Sequence, residues 1–295
     1  MFSRWDSLKP HTWQYRIFCD YSEELTRMML SYVATRKYTY TNITKAGGDW
    51  DKLAKDYFAN TRDQILTIRN WSENLNDFEN WTTLNCAMAL SSYFETYLSS
   101  VIVMALQSDP GIMIGQPHAV DGMKLLKQGK LKKKDINRIA AECTKGEWSK
   151  RQAVMQKYFG SLPDSFNQNI KTLEALRILR NKVGHAFGRD IRKSRDIESA
   201  TKLSMERLSS KRFEKWQRQI SQIALDIDKF MLQKHIGSFQ PLLAYHTLYQ
   251  SLDKTDTPIA RGERMMAFKK SMGGEKKDLY SKDYCRSLVS YYEVL

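Results

Sequence analysis

The chain has 295 residues, 42% hydrophobic and 27% charged, which suits one large globular domain or a core domain with extensions and requires no disulfide or metal staple. The start carries Asp6 and Pro10 without an apolar leader, and the longest strongly apolar stretch, Val101 to Leu106, is far short of the roughly 20 residues of a membrane span, so a cytoplasmic protein without membrane contact is expected. The net charge of +14 is uneven: residues 1–120 carry 11 Lys+Arg against 13 Asp+Glu, residues 121–195 carry 19 against 7, and residues 196–295 carry 17 against 13, which points to a polyanion-binding surface from one quarter of the chain.

Most of the chain reads as helix. Ser22 followed by Glu23, Glu24 and Leu25 predicts a capped start, with helix running toward Arg36. Lys37 to Thr44 is β-branched and alternating, and reads as a short extended piece or a loop. Gly47-Gly48-Asp49 then opens a second helix through about Asn74. A long helix covers Phe78 to Ser108 and stops at Asp109-Pro110-Gly111, with Phe94, Tyr97, Val101 and Met104 on one buried face. Residues 111–118 form a loop, and Lys-rich helical pieces follow to Phe159, broken by Gly160 and Pro163. Phe166, Ile170, Leu173, Leu176, Leu179 and Val183 make a second inward stripe that ends near Gly184. Arg212 to Lys234 is amphipathic, with Phe213, Trp216, Ile220, Ile223 and Ile227 inward, and Gly237 caps it. The pattern weakens after Asp253, and a short final helix covers Ser281 to Tyr292. The expected architecture is all-α, a central bundle with helical extensions at both ends.

The basic quarter ends in LEALRILRNKVGHAFGRD, in which Arg180 is followed by Asn181 and, after three more residues, by His185. A second Arg-x6-His spacing, Arg4 to His11, has no Asn after the Arg and lies in a Pro-containing segment, and is set aside. The Arg180-Asn181-Lys182-Val183-Gly184-His185 run resembles the R-N-x3-H motif of the HEPN (higher eukaryotes and prokaryotes nucleotide-binding) superfamily, and SSYFETYLSSVI resembles the first helix of such domains. The resemblance implies a HEPN-like bundle at 78–237, with an N-terminal helical extension at 1–77 and a C-terminal one at 238–295. It also implies a metal-independent endoribonuclease, serving as a toxin or anti-phage defence effector, with Arg180, Asn181 and His185 as catalytic residues. Such enzymes are homodimers whose motifs face each other across a two-fold axis, and they are restrained by an inhibitor (an antitoxin) or a sensor protein.

The residue types suit that chemistry. Attack of a ribose 2′-OH on the adjacent phosphorus needs a base active near neutral pH, which an imidazole supplies. Charge on the phosphorane oxygens needs a planar, permanently charged fork, which a guanidinium supplies. No metal or other cofactor is expected. Arg177, Lys182, Arg189, Arg192 and Lys193 are candidate RNA-binding residues beside the motif, and Lys132, Lys133 and Lys134, with Lys127 and Lys130, extend the track upstream. On an ideal helix, residues five apart differ by about 140° and residues four apart by about 40°, so Asn181 shares a face with His185 and Arg180 does not. Either the helix distorts near Gly184 or a second chain completes the site. Glu95, in an otherwise apolar helix, reads as an exposed residue or an ion-pair partner, with a supporting carboxylate behind the motif as the alternative, and His118, His235 and His246 read as structural. Trp148 is the one tryptophan in the basic quarter, with a core role expected and base stacking the alternative. Cys19, Cys86, Cys143 and Cys285 are scattered, without C-x-x-C or His at ligand spacing, so structural zinc is not expected. The alternative function is a non-catalytic HEPN-like module that binds RNA or nucleotide or serves assembly.

Overall fold

In the computed structural model, residues 2–59, 65–186, 189, 203–274 and 278–295 are described. Helix makes up 74% of the described residues, which contain no strand, only one antiparallel bridge between Leu53 and Thr67. The helices in chain order are α1 (Trp13–Lys45), α2 (Ile68–Ser108), α3 (Gly122–Lys127), α4 (Lys133–Thr144), α5 (Trp148–Phe159), α6 (Asp164–Gln168), α7 (Ile170–Ala186), α8 (Ser210–Met231), α9 (Phe239–Tyr249), α10 (Pro258–Gly274) and α11 (Lys282–Val294). Single 3₁₀ turns cover Ala54–Asp56 and Pro110–Ile114, and a π turn covers Leu232–Ile236.

Two compact units emerge. The first comprises Met1–Arg16, Thr96–Ile170 and Gln222–Leu295, and the second Ile17–Glu95 and Lys171–Ser221. Each is assembled from separate stretches of chain, and the expected boundary at 77/78 falls inside α2.

The inward stripes lie where their spacing puts them. Phe94, Tyr97, Val101 and Met104 are buried along α2, Leu173, Leu176, Leu179 and Val183 along α7, and Phe213, Trp216, Ile220, Ile223 and Ile227 along α8. Ile170 is half-buried at the start of α7. By length and composition α2 also passes for a membrane-spanning helix, although more than half of its apolar window is buried inside the protein. That window is interrupted by polar residues and by Glu95, so its longest uninterrupted apolar run is short.

Three expectations are corrected. Helix α1 begins at Trp13, nine residues before Ser22, and its cap is Thr12, whose Oγ1 accepts from the Tyr15 amide. Ser22 is buried within the helix and accepts from Gln217 Nε2. Lys37 to Thr44 is helical, and its threonines close locally: Thr39, Thr41 and Thr44 each donate to the carbonyl four residues earlier, which satisfies the hydroxyls without leaving the helix. No helix opens at Gly47. The segment turns there, with Gly47 at φ 71°, and α2 starts only at Ile68. Helix α10 lies where the sequence pattern weakens after Asp253, while α11 begins one residue after the expected Ser281, whose hydroxyl caps it through the Tyr284 amide.

The first unit is tied by buried charges that bond across long separations. Arg4 reaches Asp121 (2.9 Å), the Ser108 hydroxyl and the Ser108 and Ile236 carbonyls, and Tyr291 donates to the same Asp121. Arg264 binds Glu293 and the Asp253 and Thr255 carbonyls. The π turn ends at Gly237, whose amide donates to the Leu232 carbonyl five residues back. Gly237 has φ 54°, and a Cβ there would stand 2.5 Å from the Trp5 carbonyl carbon and 2.6 Å from the Arg4 oxygen. Gly237→Ala is therefore expected to destabilise the protein by more than about 1 kcal/mol. The reading is the urea midpoint at unchanged slope; a midpoint equal to wild type would show that the turn tolerates a side chain.

Candidate active site on α7

The buried stripe of α7 orients the motif. With Leu173, Leu176, Leu179 and Val183 inward, Arg180 and Asn181 are half-buried at the flank, and Lys182 and His185 are exposed. The helix stays regular through Gly184 and ends at Ala186. Of the two alternatives, distortion near Gly184 does not occur, so Arg180 and His185 keep their separation of about 140° around the axis.

Arg180 Nη1 is held by a carboxylate oxygen of Glu95 on α2. Glu95 is the one charged residue between Glu79 and Asp109. That isolation is a sequence signal: a lone charge in an apolar helix needs a partner, since an unpaired one is costly to bury. The spacing shows that a partner is needed but does not name Arg180. His185 stands in the last turn of α7, where a cation is favoured by the helix dipole, and no hydrogen bond to its imidazole occurs among the described residues.

The neighbouring cations divide. Arg177 lies against Glu174 one turn back, with Nη2 to Oε1 at 2.6 Å, and Lys182 pairs with Glu206 at 3.2 Å. Arg189 donates to the Leu203 carbonyl. Arg192 and Lys193 lie outside the described residues. In the other unit, Lys132, Lys133 and Lys134 are exposed at the N-terminal end of α4. Lys127 leaves the upstream track: its ammonium donates to the Tyr292 and Glu293 carbonyls at the end of α11, and burial lowers its pKa. Trp148 is buried, edge-on to Phe166 and beneath the Arg151 guanidinium, which is a core role.

A cavity of about 230 Å³ opens beside α7, between Ile178, Lys182, Glu206, Arg212 and Trp216. The Lys182–Glu206 pair lies at its rim, and Arg212 covers the Trp216 ring at 4.7 Å. Together the motif helix offers an exposed imidazole, an oriented guanidinium and a shallow apolar recess. That set can accept a proton and neutralise an oxyanion.

No family model, no curated protein and no solved structure matches this chain.

Arg180 and Glu95 are both partly open to solvent, so their pair is expected to be releasable. A double-mutant cycle with Glu95→Gln and Arg180→Gln should give a coupling below about 1 kcal/mol in urea unfolding. A coupling of several kcal/mol would mark the pair as a structural tie.

Proposed function

We propose that this protein is a metal-independent endoribonuclease of the HEPN type, a toxin or anti-phage effector acting in the cytoplasm. What supports this above all is the ordered C-terminal half of α7, which presents Arg180, Asn181 and an exposed His185 in the R-N-x3-H spacing, with Arg180 oriented by a carboxylate.

The reaction follows from the groups present. His185 takes the proton of the ribose 2′-OH as its oxygen attacks phosphorus. The P–O5′ bond breaks, the 5′ oxygen takes a proton from water, and a 2′,3′-cyclic phosphate remains, the proton on His185 returning to solvent. Arg180 carries the charge that builds on the phosphorane oxygens. Asn181, on the same face as His185, orients the imidazole or the phosphate. DNA, without a 2′-OH, is not a substrate. Because α7 is regular, a second copy is needed to bring an Arg180 and a His185 to one phosphate, which favours a two-fold homodimer.

RNA would be positioned by Arg177, Lys182, Arg189, Arg192 and Lys193, with Lys132, Lys133 and Lys134 as an outlying contact. Lysines at the N-terminal end of α4 oppose the helix dipole, and the same positive end adds to their pull on a phosphate. An inhibitor or sensor protein would hold the enzyme in check. A second reading, a non-catalytic RNA-binding or assembly module, is favoured by one observation: Glu95 already occupies the guanidinium of Arg180.

The test is incubation with mixed single-stranded and transfer RNA in excess EDTA. Wild type is expected to leave 2′,3′-cyclic phosphate ends. His185→Ala should be slower by about 10²-fold or more, and Arg180→Ala by about 10²–10³-fold. Equal cleavage by all three removes these residues from the chemistry, and tight RNA binding without cleavage selects the second reading. In a binding series against salt, replacing Lys132, Lys133 and Lys134 by Ala should lower the log–log slope by up to about 2, at roughly 0.7 per phosphate contact on single strands. An unchanged slope takes these lysines off the RNA path.

A further inference from the structure

The first unit brings together three residues that are far apart in sequence: Asp109 just past α2, His118 in the loop after the 3₁₀ turn, and His235 on the π turn. We propose that Asp109, His118 and His235 form a binding site for a divalent transition-metal ion of the zinc type, which clasps these three segments.

Geometry carries the proposal. Asp109 Oδ2 lies 3.2 Å from His235 Nδ1 and 3.8 Å from His118 Nε2, and the three ligand atoms all fall within 4.8 Å of one another. Zinc bonds of about 2.0–2.1 Å in a tetrahedral shell put neighbouring donors about 3.3 Å apart, so an ion fits with small side-chain shifts. Two imidazoles and one carboxylate are the donor set of such ions rather than of calcium or magnesium. The Lys234 carbonyl oxygen, 2.6 Å from His118 Nε2, borders the same space, and His118 is partly exposed, which leaves a way in and a position for water.

The surroundings hold these donors in place. The Asp109 side chain is 0% exposed, and the polar contacts described for it are the His118 amide and the two imidazoles. A fully buried carboxylate needs positive charge or donors facing it. The His118 amide donates to Oδ1 at 2.8 Å and orients the carboxylate, as an outer-shell contact does in metal sites. His118 is the one non-glycine residue with positive φ among those described, at 65°, a left-handed conformation that L-residues rarely adopt and that turns its ring toward Asp109. Trp5 stacks on that ring at 4.2 Å. His235 sits between the Phe159 and Phe230 rings on a π turn, an irregularity frequent at functional sites.

Without an ion, the same atoms make two hydrogen bonds, His235 Nδ1–H to Asp109 and His118 Nε2–H to the Lys234 carbonyl. Binding replaces both ring protons, which move to the other ring nitrogens or are released. The site belongs to the first unit and α7 to the second, and neither proposal rests on the other.

The full chain, stripped with EDTA and freed of chelator, is titrated with Co²⁺ and followed by visible absorption, then challenged with Zn²⁺. One Co²⁺ per chain is expected, displaced by Zn²⁺, with Zn²⁺ raising the melting temperature. His118→Gly keeps the left-handed backbone and the amide contact to Asp109, so it should fold. Its affinity should fall by more than the roughly 10–100-fold that losing an outer-shell partner costs, and its melting temperature should no longer respond to Zn²⁺. Absence of stoichiometric binding by wild type, or binding unchanged in His118→Gly with the wild-type circular dichroism, would leave only a hydrogen-bonded cluster and overturn the proposal.

Discussion

Helix α7 turns about 100° per residue, and burying Leu173, Leu176, Leu179 and Val183 removes its rotational freedom. Everything at the candidate active site follows from that constraint. Arg180 is left at the flank, within reach of Glu95, and His185 faces solvent. Because the helix does not break at Gly184, the two cannot turn toward each other. A residue with no side chain at Gly184 permits a kink but does not cause one, since the hydrogen-bonded ladder continues when nothing competes for it.

The basic character of residues 121–195 takes different forms once folded. Arg177, Arg180 and Lys182 each face a carboxylate, from Glu174, Glu95 and Glu206. Lys127 spends its charge on carbonyls at the end of α11. Lys132, Lys133 and Lys134 stay exposed. Partly exposed pairs contribute little to stability and can exchange partners for a phosphate at small cost. Charge that already faces a carboxylate therefore remains available to a polyanion, whereas charge bound to helix-end carbonyls in a half-buried setting does not.

In the first unit, buried polar groups lie beside an extensive apolar core. Arg4, Asp121 and Tyr291 form one chain of contacts, and Asp109, His118 and His235 another; both touch the end of α2 or the loop after it. Such networks stabilise only when every member is satisfied, and they specify one arrangement of segments where apolar packing would tolerate several. The π turn before Gly237 belongs to this region, and its extra residue places His235 inward.

The all-helical class, the inward faces of α2, α7 and α8, the stop at Asp109-Pro110-Gly111 and a final helix from about Ser281 were legible in the sequence, because periodicity and helix breakers are properties of neighbouring residues. The motif on α7 was legible for the same reason, whereas the sequence left Glu95 open as an exposed residue or an ion-pair partner. Tertiary structure alone decided that the partner is Arg180, that Thr12 and not Ser22 caps α1, that Lys127 is consumed by α11, and that Asp109, His118 and His235 meet. The pairing of Glu95 with Arg180, of Lys127 with α11 and of Asp109 with His235 spans 85, 165 and 126 positions, and the spacing of residues along a chain carries little information about which distant segments pack together.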